Sequence, residues 1–109
     1  MKKNIFEEEL YKKIGINNLI IFAVYSFENS GEKCTFEKLV EKCFYFFPKS
    51  FSLFGISKWP DSRKLDRPLR TLRKNKLISG NLQKNLTLAK AGKKIAQDIS
   101  RILNQRKLI

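Results

Sequence analysis

Ile16, Leu19, Ile20, Ala23 and Phe27 recur at the i, i+3, i+4, i+7, i+11 spacing of one helical face. The turn-forming run Asn29-Ser30-Gly31 closes that helix. A second stripe, Phe36, Leu39, Val40, Cys43, Phe44 and Phe47, predicts another helix, with Thr35 as its cap, Glu37 in its first turn and Pro48 as its stop. Asn4 to Lys13 reads as an earlier helix, capped by Asn4, with Glu7, Glu8 and Glu9 near the positive end of its dipole and Gly15 interrupting it.

Beyond Pro48 the helical period is lost. Phe51-Ser52-Leu53 alternates like a short strand, and the residues to Trp59 read as a loop pinned by aromatics. Among the aromatics of this region, Phe44 and Phe47 read as core, whereas Tyr45 and Phe46 point elsewhere. Within Ser79 to Leu88, two short alternating runs around a polar Gln83-Lys84-Asn85 tip predict a β-hairpin. Ile95, Ile99, Ile102 and Leu103 then describe a last amphipathic helix, with Lys90, Lys93, Lys94, Arg101 and Arg106 on or near its polar side.

The segment between loop and hairpin, DSRKLDRPLRTLRKNK from Asp61 to Lys76, carries the sharpest pattern. At 100° per residue Leu65, Leu69 and Leu72 fall within a narrow arc, and Arg63, Arg67, Arg70 and Lys74 lie opposite with Thr71 beside them. Pro68 leaves two readings. Either a helix capped by Asp61 kinks at the proline, or Asp61–Leu65 is a separate turn and the main helix begins at Asp66 with Pro68 in its first turn, which moves Arg63 off the stripe.

Composition sharpens this picture. The 109 residues suit one domain, and a hydrophobic fraction of 42% with nine Phe, three Tyr and one Trp suffices for a packed interior. Charge is the unusual property. The 23 basic and 10 acidic residues give +13. Residues 1–60 hold nine lysines against seven glutamates, while residues 61–109 hold fourteen lysines and arginines against three aspartates. Such asymmetry points to a polyanion-binding half.

Other chemistries are disfavoured. There is no histidine, and two cysteines nine apart do not make a zinc site, so no metal is expected. Cys43 continues an apolar stripe and reads as a buried free thiol, which implies a reducing interior. The glycines form no phosphate loop and no nucleophile has an evident base, so the expectation is a non-enzymatic protein without a cofactor. The uncharged run Ile14–Phe27 is shorter than the roughly 18 residues of a membrane span, and Glu7–Glu9 do not suit a signal peptide. The chain is therefore expected to be soluble and cytoplasmic, with no membrane partner.

The order helix, helix, short strand, basic helix, hairpin, helix, mainly α with a small hairpin, resembles the winged helix-turn-helix family of DNA-binding domains. The resemblance spans roughly residues 16–103 and rests on Leu69-x-x-Leu72-x-x-x-x-Leu77-Ile78 and on Leu86-x-Leu88-x-x-x-Gly92-x-x-x-Ala96. Asn75-Lys76 stands where the family often has a glycine, and Ala89 where it often has a capping Thr. The resemblance implies one winged-helix domain over 1–109, with a core over 16–88, an N-terminal extension over 1–15 and a C-terminal helix over 90–109. It further implies double-stranded DNA as partner and a role in transcription regulation, with the basic helix in the major groove and the hairpin on the backbone.

The expected nucleic-acid contacts are Arg63, Lys64, Arg67, Arg70, Thr71 and Lys74 on the helix, and Gln83, Lys84 and Asn85 at the hairpin tip. Arg70 or Thr71 is the best candidate for base edges. The first or last helix is the candidate homodimer surface. Two alternatives stay open: a protein-interaction winged helix in a nucleic-acid-processing complex, and an RNA-binding module.

Overall fold

The computed structural model describes residues 6–53, 56–81 and 83–104. Within them the chain is mainly helical with small antiparallel hairpins. Its elements are α1 (Glu8–Tyr11), α2 (Ile16–Ser30), α3 (Phe36–Phe46), α4 (Pro48–Phe51), β1 (Ser52–Leu53), β2 (Ile56–Pro60), α5 (Arg63–Lys74), β3 (Ile78–Asn81), β4 (Asn85–Leu88) and α6 (Lys90–Asn104). The side chains of Leu53, Phe54, Trp59 and Arg106, and the cap expected at Asn4, lie outside the described residues.

Helix boundaries follow local chemistry. Gly31, at φ 74°, ends α2: its amide donates to the Glu28 carbonyl at 3.2 Å and the Glu32 amide to that of Phe27 at 3.0 Å. Thr35 caps α3, its hydroxyl accepting the Lys38 amide hydrogen at 3.4 Å. Pro48 stops α3 as its missing N–H requires, and then opens α4, where that N–H is not needed. The aromatic loop contains a second strand. Ile56–Pro60 folds back antiparallel on Ser52–Leu53 with an irregular register, and runs this short and irregular leave no period in the sequence.

α2 is the axis of the core. Leu19, Ile20, Ile21, Phe22, Ala23, Val24 and Phe27 are all buried, a wider surface than the single stripe expected of it. A helix apolar nearly all round needs neighbours on several sides, and α3, α5, α6 and β4 all pack on α2. α3 contributes Leu39 and Cys43, α5 contributes Leu65, Leu69 and Leu72, and α6 contributes Ala96, Ile99 and Leu103.

The N-terminal residues belong to this core. The Phe6 ring lies edge-on to Phe22 at 5.5 Å and stacks on Phe47 at 5.7 Å, and Tyr11 lies 5.2 Å from Phe47. Phe46, expected to face away, packs half-buried against Phe6 at 5.3 Å, whereas Phe44 does not join the core cluster. The buried stripe of α3 centres on Leu39 and Cys43, which puts Phe46 about 40° and Phe44 about 120° from its middle.

The second hairpin pairs Ile78 with Leu88, Ser79 with Thr87, Gly80 with Leu86 and Asn81 with Asn85, as expected for two runs about a polar tip. It docks on the linker between α2 and α3. The Leu86 amide donates to the Cys34 carbonyl at 2.7 Å, and the Cys34 amide donates to the Asn85 side-chain oxygen at 2.8 Å. Among the described residues, no helix is long and apolar enough to cross a membrane.

Candidate nucleic-acid interface

α5 starts where Asp61 holds it. The Asp61 amide donates to the Phe51 carbonyl at 2.7 Å, and its carboxylate accepts the Arg63 amide hydrogen at 3.1 Å. The Arg63 guanidinium folds back on the same carboxylate, Nε at 3.1 Å and Nη2 at 3.4 Å. The hydrogen bond from Arg63 holds the Asp61 carboxyl below the usual carboxylate range and raises Arg63 in turn.

From Arg63 to Lys74 the helix is unbroken, with Pro68 inside it, so the reading that keeps Arg63 on the stripe holds. Pro68 has no N–H to give the Lys64 carbonyl one turn back. The Lys64 ammonium is turned to the Ser50 carbonyl at 3.3 Å, and the residue is half-buried.

The end of α5 takes a glycine-like form without glycine. Lys76 adopts φ 60°, its amide donates to the Arg73 carbonyl at 3.1 Å, and the Leu77 amide donates to that of Leu72 at 2.9 Å. That pair of bonds satisfies two terminal carbonyls and turns the chain into β3. The next element is fitted as closely. A Cβ on Gly92 would meet the Leu77 carbonyl oxygen, so α6 approaches the start of the hairpin by backbone contact.

Leu65, Leu69 and Leu72 are buried, while Arg63, Arg67, Arg70, Thr71 and Lys74 are exposed. The basic and aliphatic sides of α5 therefore face as their spacing requires. The cations divide by what already holds them. Arg63 is on Asp61, and Arg70 Nη2 lies 3.6 Å from the Asp66 carboxylate across one turn. Arg73, absent from the sequence-derived set, donates from Nη2 to the Gly80 carbonyl at 3.2 Å and so ties α5 to β3. Its position one residue before Lys74 gave no hint of this, because the strand it reaches is not part of the helix pattern. Arg67, Thr71 and Lys74 have no side-chain hydrogen bond or ion pair among the described residues.

At the hairpin, Gln83 and Lys84 are exposed. Asn85 is half-buried, and its side-chain oxygen is committed to the Cys34 amide, so it serves the hairpin's docking. Gly80 sits at φ 96° beside the Asn85 carbonyl, a place where a Cβ would collide.

The remaining chemistry is sparse. Cys34 and Cys43 are free and buried; desolvation, with Glu28 adding to it, pushes the Cys34 thiol up to about 12 and raises that of Cys43 as well. Among the described residues, no group of three or more acids or cysteines is placed to hold a metal ion. No family model matches the chain, and neither a curated protein nor a solved structure does.

Proposed function

We propose that this chain is a winged helix-turn-helix domain that binds double-stranded DNA without catalysing a reaction, as a small transcription regulator. The observation that carries the reading is the outer face of α5, where Arg67, Thr71 and Lys74 are exposed and, among the described residues, without a side-chain partner, above three buried leucines. Cations left without an internal partner repel one another and gain most by neutralising phosphates.

The fold part of the reading draws support from Cys34. Its carbonyl accepts from the Leu86 amide of β4, the kind of backbone bond a third strand makes in a winged-helix sheet, and its amide is held by the Asn85 side chain. α2, α3 and α5 then correspond to the three helices and β3–β4 to the wing. This chain differs in the α4–β1–β2 segment between α3 and α5, which is longer than a helix-turn-helix turn.

In this mode α5 enters the major groove. Arg67 and Lys74 take phosphates, Arg70 or Thr71 reaches base edges, and Gln83 and Lys84 track the backbone beside the wing. Paired half-sites would bring a second copy, through α1 or α6, and Ile102 on α6 is 43% exposed. Sedimentation with and without DNA tests that part.

Polarisation titrations with random duplex, single-stranded DNA and RNA at two ionic strengths test the function. Duplex should bind best, with log K falling by roughly four to eight per decade of salt. Arg67→Ala and Lys74→Ala should each lower that slope by about one. A flat salt response, or stronger binding to RNA, would overturn the duplex reading.

A further inference from the structure

Asp66 is the one carboxylate among the exposed side chains of α5, and it sits in the middle of the arginines. Against a polyanion an exposed carboxylate is repulsive, so a surface built only for phosphate contact would be better without it. Its placement suggests a different use. Asp66, Arg70 and Arg73 follow the i, i+4, i+7 series along one flank of α5. Arg73 reaches the Gly80 carbonyl, which makes this the flank beside the hairpin. Asp66 Oδ2 lies 3.6 Å from Arg70 Nη2, with both side chains largely exposed at 66% and 80%. A guanidinium presents its five donors in a rigid planar fork. A carboxylate engaging one edge limits the rotamers of the long side chain and leaves another edge for two acceptors on a base, an arrangement guanine offers in the major groove.

Resting on the DNA reading above, we infer that Asp66 is a positioning residue for sequence discrimination: it holds Arg70 in one pose for a guanine edge and weakens contact with DNA lacking that base. The cost is affinity for DNA in general, and the gain is a larger difference between sequences. A residue present only for the helix dipole would alter stability and leave that difference untouched.

The experiment uses the full chain. A preferred duplex is selected from a randomised pool with the parent protein, and its affinity is compared with a shuffled duplex for the parent, Asp66→Asn, Asp66→Glu and Arg70→Ala. Asp66→Asn should bind the shuffled duplex about two- to fivefold more tightly, as loss of one exposed charge allows. Its preference for the selected duplex should fall about tenfold, in the range of one bidentate base contact. Arg70→Ala should lose a similar preference, the double variant no more, and Asp66→Glu should recover part of it. Melting temperatures within about 4 °C of the parent would confirm intact folding for these exposed positions. A parent that discriminates while Asp66→Asn discriminates equally well overturns the inference alone. A parent with no preference overturns it together with the sequence-specific reading.

Discussion

Glu28 on α2 accepts the Leu88 amide hydrogen at 2.6 Å, across 60 residues of chain, and its other carboxylate oxygen lies 3.8 Å from Lys93 Nζ. One half-buried side chain thus joins the central helix to the hairpin and to the last helix. A hydrogen bond to a charged group contributes about 1.5–3 kcal/mol, so Glu28→Ala should lower stability by about that amount in urea unfolding. Glu28→Gln keeps an acceptor and should lose less. An unchanged midpoint for the alanine variant would show that the link is unimportant.

The two sides of α5 should separate experimentally. Leu69 and Leu72 are each 2% exposed, so replacing either with Ala should cost about 2–5 kcal/mol, read as a drop in thermal or urea midpoint. Thr71→Ala and Lys74→Ala lie on the exposed side and should shift stability by no more than about 0.5 kcal/mol. Similar losses on both sides would contradict the orientation of this helix.

Backbone geometry gives a pair of opposite outcomes. Lys76 is held at φ 60°, so Lys76→Gly should raise stability by about 1 kcal/mol. Gly92 packs its Cα against the Leu77 carbonyl, and Gly92→Ala should lower stability by about 1–3 kcal/mol through overpacking. Calorimetry on both variants decides.

The buried thiols set the alkaline limb of stability. The Cys34 thiol, pushed up to about 12 by desolvation, stays protonated in the folded chain through the range in which it ionises when unfolded. Its contribution is complete below about pH 8.5 and is lost as pH rises from there through 12. The buried Tyr11 hydroxyl is raised for the same reason. Unfolding midpoints should therefore hold level to about pH 8.5 and then fall, and Cys34→Ala should fall less steeply. Equal slopes would mean the thiol does not contribute.

Periodic segments were readable from the sequence because their chemistry is local. Thr35, Gly31, Pro48 and the α5 leucines all act within one or two turns, and the structure uses each as the spacing suggests. The departures are long-range. Asn85 looks like a turn residue in sequence, yet its partner is Cys34, 51 positions away. Phe46 packs on the Phe6 ring, which belongs to a segment 40 residues away and gives no signal within the α3 pattern. Lys64 reads as a member of a cationic run, and Arg73 goes unremarked within it, until the neighbouring carbonyls of Ser50 and Gly80 are in view. The β2 strand is defined by its pairing and not by any run of its own.

Cys34 and Glu28 grip the hairpin from the near-neutral part of the chain, so the jump in charge near residue 60 marks no seam in the architecture. An excised peptide from Asp61 to Asn104 would carry the cationic face yet lack the scaffold that keeps its leucines dry. The chain's electrostatic identity is written in one half, while the rigidity that gives that identity a shape is on loan from the other.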